Sequence, residues 1–194
     1  MTMTTPGIPT QPGIPTQLCA PLQDLVTGVR AVVAERLPEQ ETADRVAALL
    51  APALRHPGLL QEHQCHGDEE CYTQHILHVE PDGSFSIVAL VWLPGQTTPV
   101  HDHVSWCTVG VYQGQETETL YRVDHVDGED DERHLVVRGG GVNPQGSVTG
   151  IAPPGDIHAV SNSGGDTAIS LHVYGADIGK LGSSIRRTYD LAHA

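Results

Sequence analysis

The chain has 194 residues, room for one domain with an extension and little more. Ten Lys plus Arg against 24 Asp plus Glu leave a formal charge of -14, and a protein that neutralises nucleic-acid phosphates needs a basic face, so nucleic acid is excluded as the expected partner. No run approaches the roughly 18 apolar residues of a membrane span, and the N-terminus lacks the basic-then-apolar order of a secretion signal, so the expected setting is cytoplasmic with no membrane partner.

Residues 1–20 read as a flexible tail. The hexapeptide Pro-Gly-Ile-Pro-Thr-Gln occurs at residues 6–11 and again at 12–17, and proline at this density removes backbone donors and forbids helix. Residues 21–60 form a helical segment. Leu22, Leu25, Val26, Val29, Val32, Val33 and Leu37 recur at three- and four-residue steps, which predicts an amphipathic helix over 21–37. A second helix is expected over 41–54, with Val46, Leu49, Leu50 and Leu54 inward and Pro57-Gly58 ending it. Together the two helices are expected to cover one face of the downstream domain.

After Cys71 the period changes. Residues 85–92, 107–112, 116–123, 135–138 and 168–174 are short and rich in β-branched or aromatic side chains. Turn signals bound them at Asp82-Gly83, Pro94-Gly95, Gly114, Asp127-Gly128, Gly139 to Gly141, Pro153 to Gly155 and Gly164-Gly165. Several short strands at near-regular spacing predict an all-β sandwich or barrel over 70–178, with 179–194 as a C-terminal extension. The acidic run at 127–132 is expected to be a solvated hairpin tip. Four cysteines (Cys19, Cys65, Cys71 and Cys107) in a chain without a secretion signal are expected as reduced thiols. The spacing of His63, Cys65, His66 and Cys71 fits no zinc pattern.

Twelve histidines are the unusual part of the composition. His101 and His103 stand two apart, so on a strand both emerge from one face, where two imidazoles can share a metal. Gly95, five residues, His101-x-His103, and Gly114 resemble the first signature of the cupin superfamily, G-x5-H-x-H-x3-E-x6-G, with Cys107 in place of the glutamate. Pro153-x-Gly155-x2-His158-x3-Asn162 resembles the second signature, its leading glycine one place out at Gly146. The resemblance implies a cupin double-stranded β-helix, a jelly-roll barrel, with His101, His103 and His158 on one metal. Three neutral imidazoles without the glutamate leave a divalent ion its full charge and open positions; imidazole ligands suit iron, and equally zinc, nickel or copper.

Within cupins, cysteine or a small residue at that glutamate position resembles the cysteine dioxygenase family, which oxidises small thiols to sulfinic acids with iron(II) and O2. Residues 168–174, Ala-Ile-Ser-Leu-His-Val-Tyr, are similar to that family's late strand. Ser170, His172 and Tyr174 fall at i, i+2 and i+4, so one pleat face presents all three while Leu171 and Val173 pack behind. In eukaryote-type members the cysteine matching Cys107 is thioether-linked to the tyrosine matching Tyr174; here the linked pair and a buried unlinked thiol both stay open. Tyr72-Thr73-Gln74 resembles the family's Tyr-Thr-Arg or Tyr-Thr-Gln element, and Gln74 makes the chain look like the glutamine type, which includes 3-mercaptopropionate dioxygenases. Glutamine brings no charge to a carboxylate, and glutamine-type members add an arginine after the tyrosine strand, for which Arg187 and then Arg186 are the candidates.

These resemblances imply an iron(II) thiol dioxygenase acting on a small thiol carboxylate, L-cysteine or 3-mercaptopropionate, with O2, as a monomer or homo-oligomer. The alternatives are a metal- or ligand-binding cupin without oxygen chemistry, and an atypical cysteine-oxidising cupin of a biosynthetic pathway.

Overall fold

A computed structural model describes residues 18–125 and 133–190; the repeat at 6–17 and the acidic run at 127–132 lie outside them. Helix α1 spans Ala20–Ala34 and α2 spans Glu39–Ala53. The first ends earlier than its apolar period suggests. Arg36 turns to a left-handed φ of 54°, and Pro38, the N-cap of α2, keeps Leu37 out of helical geometry. A single 3-10 turn, Glu62–Cys65, comes next.

Among the described residues ten strands build the body: β1 (Thr73–Val79), β2 (Ser86–Trp92), β3 (Val100–His103), β4 (Cys107–Gln113), β5 (Gln115–His125), β6 (Arg133–Pro144), β7 (Val148–Ile151), β8 (His158–Ser161), β9 (Ala168–Tyr174) and β10 (Ile185–Tyr189), with a one-turn helix α3 (Ile178–Leu181) before the last. They form two five-stranded sheets, β1-β2-β9-β4-β7 and β10-β3-β8-β5-β6, and their named pairs run antiparallel. Two antiparallel sheets in this order make a jelly-roll barrel, the architecture that the resemblance implies.

Two central strands show how period-2 alternation divides the layers. From β2 and β9, Ile87, Ala89, Val91, Ile169, Leu171 and Val173 join the apolar cluster that includes Leu22, Leu25, Val29, Val46 and Leu50 of the helices. Their alternates Val88, Leu90, Trp92 and Tyr174 pack inside the barrel with Cys107. The helices therefore cover the outer face of the first sheet, as their apolar stripes predict. The approach is close. A Cβ at Gly150 of β7 would sit 2.7 Å from the Ala43 backbone of α2.

Two expectations are corrected. The three glycines at 139–141 are not a turn but the middle of β6, paired in register with Leu120, Thr119 and Glu118 beside a register shift at Leu120/Tyr121. Gly140 has φ 143°, and a Cβ there would collide with the Glu118 carbonyl oxygen, so glycine is what lets β6 lie this close against β5. The segment after 178 is likewise no appendage, because β10 pairs with β3, the strand that carries two of the candidate ligands. Among the described residues no helix is long and apolar enough to cross a membrane.

Candidate metal centre

His101 and His103 lie on β3, with His158 opposite His101 on β8. All three side chains point into the barrel and are at most 4% exposed. Their ring centroids stand 4.7 to 5.0 Å apart, and their ligand-type nitrogens all lie within 4.8 Å of one another. Alternation along β3 sends Asp102, between the two histidines, to the other face.

Each ring is oriented through Nδ1. His101 Nδ1 is 3.0 Å from the Pro99 carbonyl oxygen. His103 Nδ1 is 3.0 Å from Asp156 Oδ2, which also accepts from the His103 backbone N–H at 2.9 Å. His158 Nδ1 is 2.6 Å from Glu118 Oε1. With three acceptors on three Nδ1–H groups, each Nε2 lone pair is left for a metal. Burial, with repulsion from His158 and His103, pulls His101 down to about 3, and burial also lowers His103 against the opposing pull of Asp156. Burial alone would raise Asp156 and Glu118, but the hydrogen bonds from His103 and His158 outweigh it and hold both carboxyls ionised below their ordinary values. The donor set thus fits a divalent ion. It also differs from three bare imidazoles, because two carboxylates behind the rings offset the ion's charge.

Beyond the triad, β9 presents the second set. Trp92 Nε1 donates to Ser170 Oγ at 3.2 Å, Ser170 Oγ is 2.9 Å from His172 Nε2, and His172 Nδ1 is 3.0 Å from the Tyr174 hydroxyl. Burial, reinforced by the three cavity histidines, lowers His172 to about 3, and burial pushes the Tyr174 phenol well above its ordinary value. Both groups are neutral throughout the physiological range. The Tyr174 ring centroid is 6.3 Å from that of His103. Cys107 is the direct cross-strand partner of Tyr174, fully buried, with its sulfur 3.9 Å from His172 Nδ1. Burial raises this thiol well above its ordinary value. It lies behind the tyrosine and is not part of the cavity wall.

A cavity of about 30 Å³ joins the two sets, and Tyr72, Gln74, Ser183 and Ser184 line it with them. Tyr72 stacks on Trp92 at 4.3 Å between centroids. Gln74 is buried, and its Nε2 donates to the Gly182 carbonyl at 3.2 Å. One amide N–H is engaged there and the other is available to a ligand.

Arg186 and Arg187, expected at the substrate carboxylate, are not in the cavity wall. Both donate to Asp102, with Arg186 Nη2 2.6 Å and Arg187 Nε 3.0 Å from its Oδ2, which also accepts from the Tyr189 hydroxyl at 2.8 Å. The β10–β3 register shifts between Ile185 and Arg187, and a bulge sets two consecutive residues against one partner. Ile185 therefore faces the cavity while both arginines reach the carboxylate on the outer face. Burial would raise Asp102, yet these three donors hold it far below its ordinary value. Among the described residues the cavity wall carries neither arginine nor lysine.

The sequence reading missed Asp156, Glu118, Ser183 and Ser184. Asp156 stands inside the second histidine signature, two residues before His158, where a carboxylate had a visible reason to be. Glu118 had none: Glu116 and Glu118 alternate like the solvent face of a strand, and only closure of the barrel turns that face inward.

A family model described as cysteine dioxygenase type I matches residues 16–181. A curated protein named cysteine dioxygenase type 1, from Danio rerio, is 32% identical over 109 residues, which is 55% of this chain and 52% of that protein. The chain thus spans about half the length of that relative. Similar solved structures include a protein from Thermus thermophilus (22% identity, 59% of this chain and 92% of that one, TM-score 0.41). Another is an RmlC-like cupin from Desulfovibrio desulfuricans (20% identity, 62% and 96%, TM-score 0.41).

Proposed function

The chain belongs to the cysteine dioxygenase type I family, and from that premise we propose that it is an iron(II)-dependent thiol dioxygenase. It would add both atoms of O2 to the sulfur of a small thiol carboxylate, L-cysteine or 3-mercaptopropionate, to give the sulfinic acid. One observation carries the reading. Three Nε2-directed histidines and a hydrogen-bonded Ser170–His172–Tyr174 chain face each other across one small cavity.

Iron(II) held by His101, His103 and His158 would supply the redox chemistry that joins O2 to sulfur. The protein's own part is positioning. Tyr174 presents a neutral phenol to the ligand space, held by His172 and Ser170, so it can give or take a hydrogen bond without carrying charge. The wall of Tyr72, Gln74, Ser183 and Ser184 would take the carboxylate by neutral donors. The favourable charge must then come from the metal, since the chain as a whole, at -14, repels an anion. Cys107 and Tyr174, paired across β4 and β9, have the neighbouring positions a thioether requires, with loss of the thiol hydrogen and one ring hydrogen to an oxidant such as O2.

The test is direct. The iron(II)-loaded chain is offered cysteine, 3-mercaptopropionate and cysteamine, while O2 uptake and product mass are followed. Sulfinate formation with one stoichiometric O2 is expected with a thiol carboxylate. Metal binding with no uptake on any thiol would overturn the oxygenase reading in favour of a metal-binding cupin.

A further inference from the structure

The hydrogen-bonded chain that begins at Tyr174 runs through His172 to Ser170, and a buried carboxyl stands beyond it. On β5 the carboxyl of Glu116 is buried inside the barrel, 1% exposed, and its Oε1 has no hydrogen-bond partner. It lines a second cavity together with Glu118, Asn143 and His158. The Ser170 hydroxyl and the Trp92 indole face the same carboxyl, and those two groups are hydrogen-bonded to each other at 3.2 Å. A buried carboxyl with an empty acceptor site is costly for a fold to keep. Trp92 anchors the Ser170 oxygen as an N–H donor and cannot itself carry a proton onward, so Glu116 is the group that stands at the far end of the chain.

We propose that Glu116 is the proton reservoir of the Ser170–His172–Tyr174 chain, and that its charge state sets the direction of every hydrogen bond along it. This rests on the reading that Tyr174 serves a ligand in the metal-site cavity. Donor and acceptor counts allow two complete arrangements. With Glu116 protonated, its O–H donates to Ser170 Oγ, the Ser170 O–H donates to His172 Nε2, His172 Nδ1–H donates to the Tyr174 oxygen, and the Tyr174 O–H is released to a ligand. With Glu116 ionised, Ser170 donates to the carboxylate, His172 Nε2–H donates to Ser170, and Tyr174 donates back to His172 Nδ1. Trp92 donates to Ser170 Oγ in both.

One proton separates the two states. When Tyr174 passes its proton to a ligand, the Nδ1 proton replaces it, the Ser170 proton moves to Nε2, and the Glu116 proton moves to Ser170. The result is a Glu116 carboxylate and the Nε2–H tautomer of His172, with Tyr174 and Ser170 restored. Atoms and charge balance, and the return of the proton runs the same hops backwards. Burial, with Glu118 beside it, lifts Glu116 to about 7, while Ser170 and Trp92 pull it down. Other titratable groups around it are His158 in the shared cavity and, across the barrel, Cys107 and Tyr174.

The experiment tracks the ring nitrogens of His172 by NMR in the isotope-labelled full chain, with zinc(II) as a diamagnetic ion, from about pH 5 to 9. The His172 signals are assigned by their loss in His172→Asn. In the wild type His172 should pass from the Nδ1–H to the Nε2–H tautomer with a midpoint near Glu116's value of about 7. A protonated-carboxyl band should vanish from the infrared spectrum at the same midpoint. In Glu116→Gln the tautomer should be independent of pH and the band absent. A wild-type tautomer constant over the range, or one that titrates unchanged in Glu116→Gln, would overturn the proposal. Should that variant not fold, the wild-type spectra decide alone: a tautomer change without the carboxyl band changing at the same midpoint overturns it. Neither readout requires turnover, so absence of thiol oxidation leaves this result standing or falling by itself.

Discussion

At the scale of single residues, the three ligands and their partners behind the rings make separable predictions. His158→Ala removes one of three nitrogens and should abolish retention of iron(II), measured by metal analysis after gel filtration. Asp156→Asn and Glu118→Gln leave the nitrogens in place but weaken what orients them, and each should lower metal affinity by about 10- to 100-fold. Gln74→Arg adds a cation to a wall that has none among the described residues. It should shift preference among cysteine, 3-mercaptopropionate and cysteamine, read as kcat/KM ratios. For Cys107 and Tyr174, intact mass after turnover with iron and O2 should fall by two hydrogens; an unchanged mass means the thiol stays free. Most of these positions were visible in the sequence because ligand spacing is local: His101 and His103 share a strand face by counting alone. The carboxylate partners of His158 and His103 lie 40 and 53 residues away from them along the chain, a separation no local pattern reports.

At the scale of elements, β10 holds β3 in place. Asp102 is on the outer face, 1% exposed on its side chain, under Arg186 and Arg187, so the ion cluster ties the two strands together directly between two metal ligands. Asp102→Ala leaves both guanidinium groups and Tyr189 without their acceptor and should destabilise the chain by about 2–3 kcal/mol, measured by urea unfolding. Gly140→Ala puts a methyl against the Glu118 backbone and should cost about as much, in the paired stretch of β5 that carries Glu118 behind His158. Helices α1 and α2 and strands β2, β4 and β9 were legible because burial enforces their apolar periods. The extent of β6 and the existence of β10 were not. Three glycines read as a turn wherever no partner strand is known, and an Arg-Arg pair reads as a substrate clamp until a buried carboxylate of the chain itself is found opposite.

At the scale of the whole molecule, the barrel interior concentrates groups whose charge state is set by burial, which fixes how stability depends on pH. His101 and His172 are each pulled to about 3, and His103 is lowered as well. The unfolded chain takes up protons on them below about 6.5 that the folded chain refuses. Stability of the metal-free chain should therefore fall as pH drops from about 7 towards 4, measured by thermal unfolding. Glu116 has the opposite sign. Its raised value means that the folded state keeps a proton the unfolded chain releases, so its contribution is intact below about 4.5 and lost as pH rises through about 7. Glu116→Gln should thus gain stability over the wild type at pH 8 by on the order of 3 kcal/mol, and little at pH 4. The sequence by itself determined an all-β body, the cap of helices and the strand faces that His101 shares with His103 and Ser170 with His172 and Tyr174, because strand and helix periods and short-range spacings are properties of neighbouring residues; the jelly roll and the place of His158 followed from the family resemblance. Only the tertiary structure decided what faces the cavity from elsewhere in the chain. The closure of two sheets turned Glu116 and Glu118 inward, and a one-residue bulge in β10 sent the expected arginines out. Side-chain facing on a strand flips with a single step in register, and register is set by the partner strand, not by the strand's own sequence.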